Sequence, residues 1–206
     1  LFDTLTGAVL RTLEVTADNP EKKILQFNGA GDQLACLGGD EVILWNPQTA
    51  AKIRAFHFPG ETVQLLNPEG TVVATSSSRR IRLWDTTTGR LLRSLNGAST
   101  EVLNLSFDPD GRRLLSSHAT GIDGVVNLWP TGIGEEIASV RTSDKSGRRI
   151  LFARDGSRFY SCSKTEAAAW DLTENLRSWT FSGESGGYRD LAIHPVDGSI
   201  LISEFD

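Results

Sequence analysis

The stretch Arg80–Leu95, RIRLWDTTTGRLLRSL, alternates apolar and polar residues, closes on Trp84-Asp85, turns through Thr-Thr-Thr-Gly and then alternates again. A period of two marks a strand with one buried face, and the Thr/Gly cluster marks a turn. The stretch therefore reads as an antiparallel hairpin with an indole at the end of its first strand. The arrangement recurs: VILWNPQTAAKIRAF ends its first run at Trp45, VVNLWPTGIGEEIASV at Trp129 and AAAWDLTENLRSWTF at Trp170, and the chain opens on LFDTLTGAVLRTL with Phe2-Asp3 in the same place. Successive aromatics in this position are 43, 39, 45 and 41 residues apart. Repetition, rather than any single motif, is the leading signal.

A second punctuation mark lies between the tryptophans, in FNGAGDQLACL, LNPEGTVVATS, FDPDGRRLLSS, FARDGSRFYSC and IHPVDGSILIS. In each, an apolar run enters a turn holding Gly31, Gly70, Gly111, Gly156 or Gly198, and a second run leaves it. Pro68 and Pro109 preset the negative φ of a type I turn, and the glycine supplies the left-handed residue that returns the strands to register. Each unit reads as strand a, a glycine turn, strand b, a longer loop, strand c ending in Trp, a short turn and strand d. For the unit around the opening stretch the expected strands are 62–66, 71–76, 80–84 and 90–95.

A lone four-stranded sheet is too thin to be stable, so it must bury both faces against similar sheets. A tryptophan ending strand c can lie flat between two such sheets, where it buries roughly 150 to 250 Å² and contributes roughly 4 to 6 kcal/mol as an upper bound. Trp45, Trp84, Trp129 and Trp170 are accordingly read as structural.

These repeats resemble the WD-repeat (Trp-Asp) β-propeller family across essentially the whole chain. The resemblance rests on Trp84-Asp85 and Trp170-Asp171, on the variants Phe2-Asp3, Trp45-Asn46 and Trp129-Pro130, and on turns such as SFDPDGRRLLSS and IHPVDGSILIS. It implies an all-β propeller of four-stranded antiparallel blades, with full blades over 22–56, 61–95, 101–140 and 148–181 and partial blades over 1–13 and 188–206. Four full blades and two partial ones suggest a segment of a longer chain, in a ring of about seven blades. Family repeats commonly carry a Gly-His pair before strand a and an Asp in the b–c loop, which join a strand-b hydroxyl and the Trp in a hydrogen-bonded tetrad. Here Ala98 stands where one such His is expected; Ser76, Ser116 and Ser161 supply hydroxyls, and the rest of the network is expected to be lost.

Composition narrows the function. The 206 residues are 39% hydrophobic and 23% charged, ordinary for a globular protein with a sizeable core. Twenty glycines and seven prolines, spread as punctuation, suit many short strands. A formal charge of -5 argues against nonspecific nucleic-acid binding, which draws its energy from Lys and Arg displacing counterions. No run approaches the length of a membrane span, and the compartment expected is the cytoplasm. Cys36 and Cys162 fall in the b strands of nonadjacent units and read as reduced core thiols.

No catalytic or phosphate-cradling motif is present, and His57, His118 and His194 lack metal-ligand or triad spacing; His194 reads as a turn residue. No cofactor or metal is called for. The enzyme alternative is a metal-dependent propeller hydrolase using acidic loop residues such as Asp40, Glu41, Asp123, Glu166 and Asp190; another is a regulatory or sensor domain of a larger bacterial signalling enzyme. The resemblance favours a non-catalytic scaffold that binds a peptide or protein, or further domains of the same parent chain, through the face made by the d–a and b–c loops. The face is mixed overall, with the basic residues Arg79, Arg80, Arg141, Lys145, Arg148, Arg149, Lys164 and Arg189 against nine acidic ones; the basic residues concentrate in the units of Trp84 and Trp170, with His118 on the unit between. Phe58 and Tyr188 are loop aromatics with no evident core role. Arginine and exposed aromatics anchor interfaces, and an arc of Arg suits an acidic or phosphorylated partner.

Overall fold

The computed structural model describes residues 1, 3–13, 24–96, 100–120, 123–132, 137–142, 149–163, 166–173, 176–182, 188–194 and 197–204, which form strands and turns without a helix. Sheet one has strand order β1-β2-β3-β4, from β1 (Ile24–Phe27), β2 (Leu34–Gly38), β3 (Glu41–Trp45) and β4 (Lys52–His57). Sheet two is ordered β5-β6-β7-β8, from β5 (Thr62–Leu66), β6 (Val72–Ser77), β7 (Arg80–Asp85) and β8 (Leu91–Asn96), each within two residues of its expected bounds. Sheet three contains β9 (Val102–Phe107), β10 (Arg113–Thr120), β11 (Asp123–Pro130) and β12 (Ala138–Thr142) in the same meander. Sheet four contains β13 (Arg149–Phe152), β14 (Arg158–Cys162), β15 (Glu166–Asp171) and β16 (Leu176–Ser182), and β17 (Tyr188–Ile193) pairs with β18 (Ile200–Glu204) alone.

Local chemistry sets the turns. The a–b glycines Gly31, Gly70, Gly111, Gly156 and Gly198 all have φ between 68° and 78°, as expected from the sequence. At Gly70 space is closed as well, because a Cβ would stand 2.5 Å from Gln33 Oε1. The residue after the indole governs the c–d turn: Asp85 Oδ1 accepts the Thr87 and Thr88 N–H groups at 2.8 and 2.6 Å. Asp3, Asn46 and Asp171 accept turn N–H groups in the same way. The Thr88 amide and hydroxyl hold the Asp85 carboxyl below the usual range. Pro130 cannot serve this role, but two residues past the indole Thr131 Oγ1 donates to Gly111 O at 2.9 Å, as Thr86 Oγ1 does to Gly70 O at 2.8 Å.

The chain divides into two compact units, residues 1–76 with 83–92, and residues 77–82 with 93–206. In the first, Ala35, Leu37, Val42 and Leu44 present one face of sheet one to Phe58, Val63, Leu66 and Val73 of the next sheet, with Phe56 and Trp84 against the cluster. Gln26 stitches these sheets: its Nε2 donates to Leu66 O at 2.7 Å and its Oε1 accepts Leu66 N–H at 2.9 Å, on the edge strand β5. In the second unit Leu115, Val126 and Leu128 of sheet three pack on Ile150, Phe152, Phe159, Ala168 and Trp170 of sheet four. Arg113 spans the same two sheets; its Nε donates to buried Asp108 at 2.7 Å and its Nη2 to Gly156 O at 2.8 Å. Trp45, Trp129 and Trp170 are 9%, 3% and 6% exposed. Trp84 is half-buried, its ring centroid 4.8 Å from that of Phe58.

The Gln26 stitch sets a test. Gln26→Ala leaves the N–H and C=O of Leu66, which is 1% exposed, without side-chain partners. Urea denaturation should show a loss of about 1 to 3 kcal/mol with an unchanged m-value.

Candidate interaction surface

One end of each sheet gathers the b–c and d–a connections. The first or second residue of a strand a donates its N–H to the b–c turn of the preceding sheet: Val63 to Gly39 O at 2.7 Å, Val102 to Ser78 O at 3.3 Å and Tyr188 to Ser163 O at 3.0 Å. These bonds fix where the loops of consecutive sheets stand.

The expected site residues divide sharply. Arg79, on the turn from β6 to β7, and Arg80, which opens β7, are exposed beside Ser78 with its left-handed φ of 53°. Among the described residues neither has a carboxylate partner. Arg149 opens β13, exposed, with its Nε 3.1 Å from Asp190 Oδ1, so its charge is already partly answered. Arg148 and Lys164 lie outside the described residues; Arg189 lies in β17, and nothing is described of its side chain. Phe58, His118 and Tyr188 are corrections. Phe58 is 6% exposed between Phe56 and Trp84, and Tyr188 is fully buried with Leu191, Cys162 and Ala167, its ring 6.0 Å from that of Phe181. Both stand where a loop becomes core, which a reading of loop position alone misses.

His118 is fully buried near the end of β10, and with it the polar network expected to be lost is rebuilt from other residues. Trp129 Nε1 donates to Ser116 Oγ at 2.7 Å, and Ser116 Oγ lies 2.7 Å from His118 Nε2. An indole N–H only donates, so Ser116 Oγ is the acceptor for Trp129 and joins it to His118 Nε2. Burial favours the neutral imidazole, against the Thr100 and Glu101 backbone, and Nδ1 has no well-formed hydrogen bond among the described residues. In sheet two Trp84 Nε1 donates to Thr75 Oγ1 at 2.9 Å, and Thr75 donates to Glu61 Oε2 at 2.9 Å. The acceptor is Thr75, not the expected Ser76, which instead meets Gln64 Nε2 at 2.9 Å. Trp170 Nε1 reaches Ser161 Oγ at 2.9 Å as expected. A carboxylate and a strand-borne imidazole thus complete networks whose usual histidine is missing.

Two of the acidic residues weighed for a metal have side-chain partners. Asp40 Oδ2 is 2.9 Å from His57 Nε2, and Asp190 faces Arg149. Among the described residues no group of three or more His, Cys, Asp or Glu is placed to hold an ion. His194 lies at the β17–β18 turn, as expected, with Nδ1 2.8 Å from Asp197 Oδ1. Cys36 and Cys162 are buried and in no disulfide. Among the described residues no helix is long and apolar enough to cross a membrane.

Four-stranded antiparallel meanders, glycine-turned at a–b, Asx-capped at c–d and tied by an indole to strand b, define a protein built of β-propeller blades. The family model "WD domain, G-beta repeat" matches residues 56–85 and 89–130. The chain is 26% identical over 142 residues to WD repeat-containing protein SL1-17 of Schistosoma mansoni, covering 68% of this chain and 46% of that protein. It is 25% identical over 183 residues to WD repeat-containing protein VIP3 of Arabidopsis thaliana, covering 80% and 56%. It is also 25% identical over 140 residues to Transcription initiation factor TFIID subunit 5 of Caenorhabditis elegans, covering 65% and 21%. The chain thus spans about half the length of the first two and about a fifth of the third. Residues 56–85 and 89–130 thus match the WD repeat, and along most of its length the chain is similar to WD repeat-containing proteins.

Burial holds the His118 pKa below its ordinary value, outweighing the Thr100 and Glu101 carbonyls that act to raise it. The folded state therefore binds fewer protons than the unfolded one. His118 contributes its full stabilisation above the unfolded value of about 6.5 and loses it as pH falls from there toward the folded pKa. Urea midpoints measured from about pH 7.5 to about pH 5.5 should fall for the wild type and stay flatter for His118→Gln.

Proposed function

We propose that the protein is a non-catalytic interaction scaffold that captures an acidic or phosphorylated segment of a partner protein on the b–c and d–a loop surface. The carrying observation is the pair Arg79 and Arg80, exposed on a tight b–c turn and without a carboxylate partner among the described residues. The Ser78 carbonyl of that turn accepts the Val102 N–H, so the two guanidinium groups extend from an anchored backbone. A guanidinium offers planar, forked donors that match a carboxylate or phosphate in two parallel bonds. Arg149 serves as a second contact only after yielding Asp190. Arg148, Lys164 and Arg189 remain part of the proposal by position in the sequence. Phe58, His118 and Tyr188 act beneath the surface, holding its loops. We place the protein in the cytoplasm, a reading supported by Cys36 and Cys162 being outside any disulfide.

The test is fluorescence anisotropy with a labelled Glu-rich peptide, its Gln counterpart and a phosphoserine peptide. Arg79→Ala and Arg80→Ala should each weaken the acidic probes about tenfold, as expected for one charge-assisted bond lost, and leave thermal stability unchanged. Arg149→Ala should weaken them less. Equal binding of the Glu and Gln peptides, or no effect of either Arg79 or Arg80, removes the basic-surface reading.

A further inference from the structure

Arginine holds the same place on two successive outer strands: Arg54 in β4 and Arg93 in β8 each stand nine residues past the tryptophan of their sheet. Arg93 reaches across to sheet three, where its Nη1 donates to Pro130 O and Gly132 O on the turn that follows Trp129. A guanidinium against turn carbonyls is thus what one such inter-sheet cleft holds. Arg54 does not repeat the contact. Its guanidinium carbon stands over the Phe56 ring, 5.9 Å from the centroid. The Asp85 carboxyl, held below its usual range first by the Thr88 hydrogen bonds, is lowered by the Arg54 charge as well.

Beside Arg54 a cavity of about 400 Å³ stands open between sheet one and sheet two. That volume is within the range of sites that take a small ligand or a long side chain. Every wall residue belongs to the first unit and to the continuously described stretch 24–96, so both sheets that border the cleft are present. Leu44, buried, and Ile53, 48% exposed, give it an apolar wall.

Its rim is acidic. Asp32 and Glu69 stand exposed on the a–b turns of the two sheets, and the Gly29 N–H joins those turns by donating to Pro68 O at 2.6 Å. Asp32 Oδ1 accepts from Asn28 Nδ2 at 2.7 Å, and Glu69 Oε2 lies 3.5 Å from Thr71 Oγ1. Both partners are neutral, and among the described residues neither carboxylate has a cation.

We infer that this cleft is a second docking site, which takes an arginine side chain of a partner polypeptide. The alkyl stem lies on Leu44 and Ile53, and the guanidinium enters between the Asp32 and Glu69 carboxylates, whose oxygens match its forked donors. The partner thereby supplies here the group that Arg93 supplies from within the chain at the following cleft. None of these residues belongs to the Arg79 and Arg80 surface, so the two readings fail separately.

The test uses the full chain labelled with ¹⁵N and follows the backbone amides of Gly70 and Thr87, both in the cleft wall. The probe is the capped peptide Gly-Ser-Arg-Ser-Gly; its counterparts carry citrulline, an uncharged isostere, or lysine in place of arginine. With the arginine peptide the two amides should shift and approach saturation by about 5 mM. Citrulline should leave them in place, and lysine should bind about threefold more weakly or worse, since an ammonium lacks the fork. Asp32→Asn and Glu69→Gln, conservative changes at exposed positions, should each weaken the arginine peptide about tenfold. Ile53→Trp should fill the cleft and abolish the shifts with both carboxylates in place, which separates docking from attraction to the net charge of -5. Amides that stay fixed, or that answer citrulline or lysine as strongly as arginine, overturn the inference. So do shifts that survive Ile53→Trp or both carboxylate substitutions.

Discussion

The rest of the structure depends on an indole ring lying between two thin sheets while its N–H is bonded to the hydroxyl of a neighbouring strand. Neither half of that arrangement suffices. Burial of the ring supplies the contact area that a four-stranded sheet cannot generate alone, but it also removes the N–H from water, and an unmet buried donor costs about 1 to 3 kcal/mol. Trp84, Trp129 and Trp170 meet both requirements through Thr75, Ser116 and Ser161. Among the described residues Trp45 meets only the first. Its cross-strand partner is Leu34, so the strand-b residue in the place of Ser116 and Ser161 is Cys36, sulfur in place of oxygen.

Around this anchor the hydroxyls are themselves given partners of more than one kind. A serine or threonine that accepts from an indole has a proton left to donate, and in a buried setting that proton needs a destination. Glu61 provides one just ahead of strand a, and His118 provides the other from two residues along strand b. The geometry constrains the donor and acceptor roles more tightly than the residue type that fills them. Burial of a histidine recruited in this way favours its neutral form, which makes the third blade sensitive to acid.

The same economy governs the ends of the sheets. The Asx residue after the indole and the left-handed glycine of the a–b turn satisfy their own backbones, so these turns remain tight. The opposite end is held by single backbone bonds from the start of one strand a to the preceding b–c turn. Beneath it Phe58, Glu61, His118 and Tyr188 are buried, and Arg79 and Arg80 stand exposed above them. Outer strands such as β4, exposed along most of its length, carry Lys52 and Arg54, charges that discourage pairing with a stray strand.

Chain order and local chemistry determined the strands, their sequence within each sheet and the turn types, because strand alternation, left-handed glycine and Asx capping act over a few residues. Strands expected at 62–66 and 80–84 are found there almost unchanged, and the role of the tryptophans followed from their size and spacing. The tertiary structure alone decided which polar atoms meet. Thr75 rather than Ser76 receives the Trp84 N–H because strand register chooses which neighbour faces inward, and register is set between strands. Phe58, His118 and Tyr188 read as surface residues by position along the chain and became core, since burial is fixed by the neighbouring sheet, dozens of residues away in sequence.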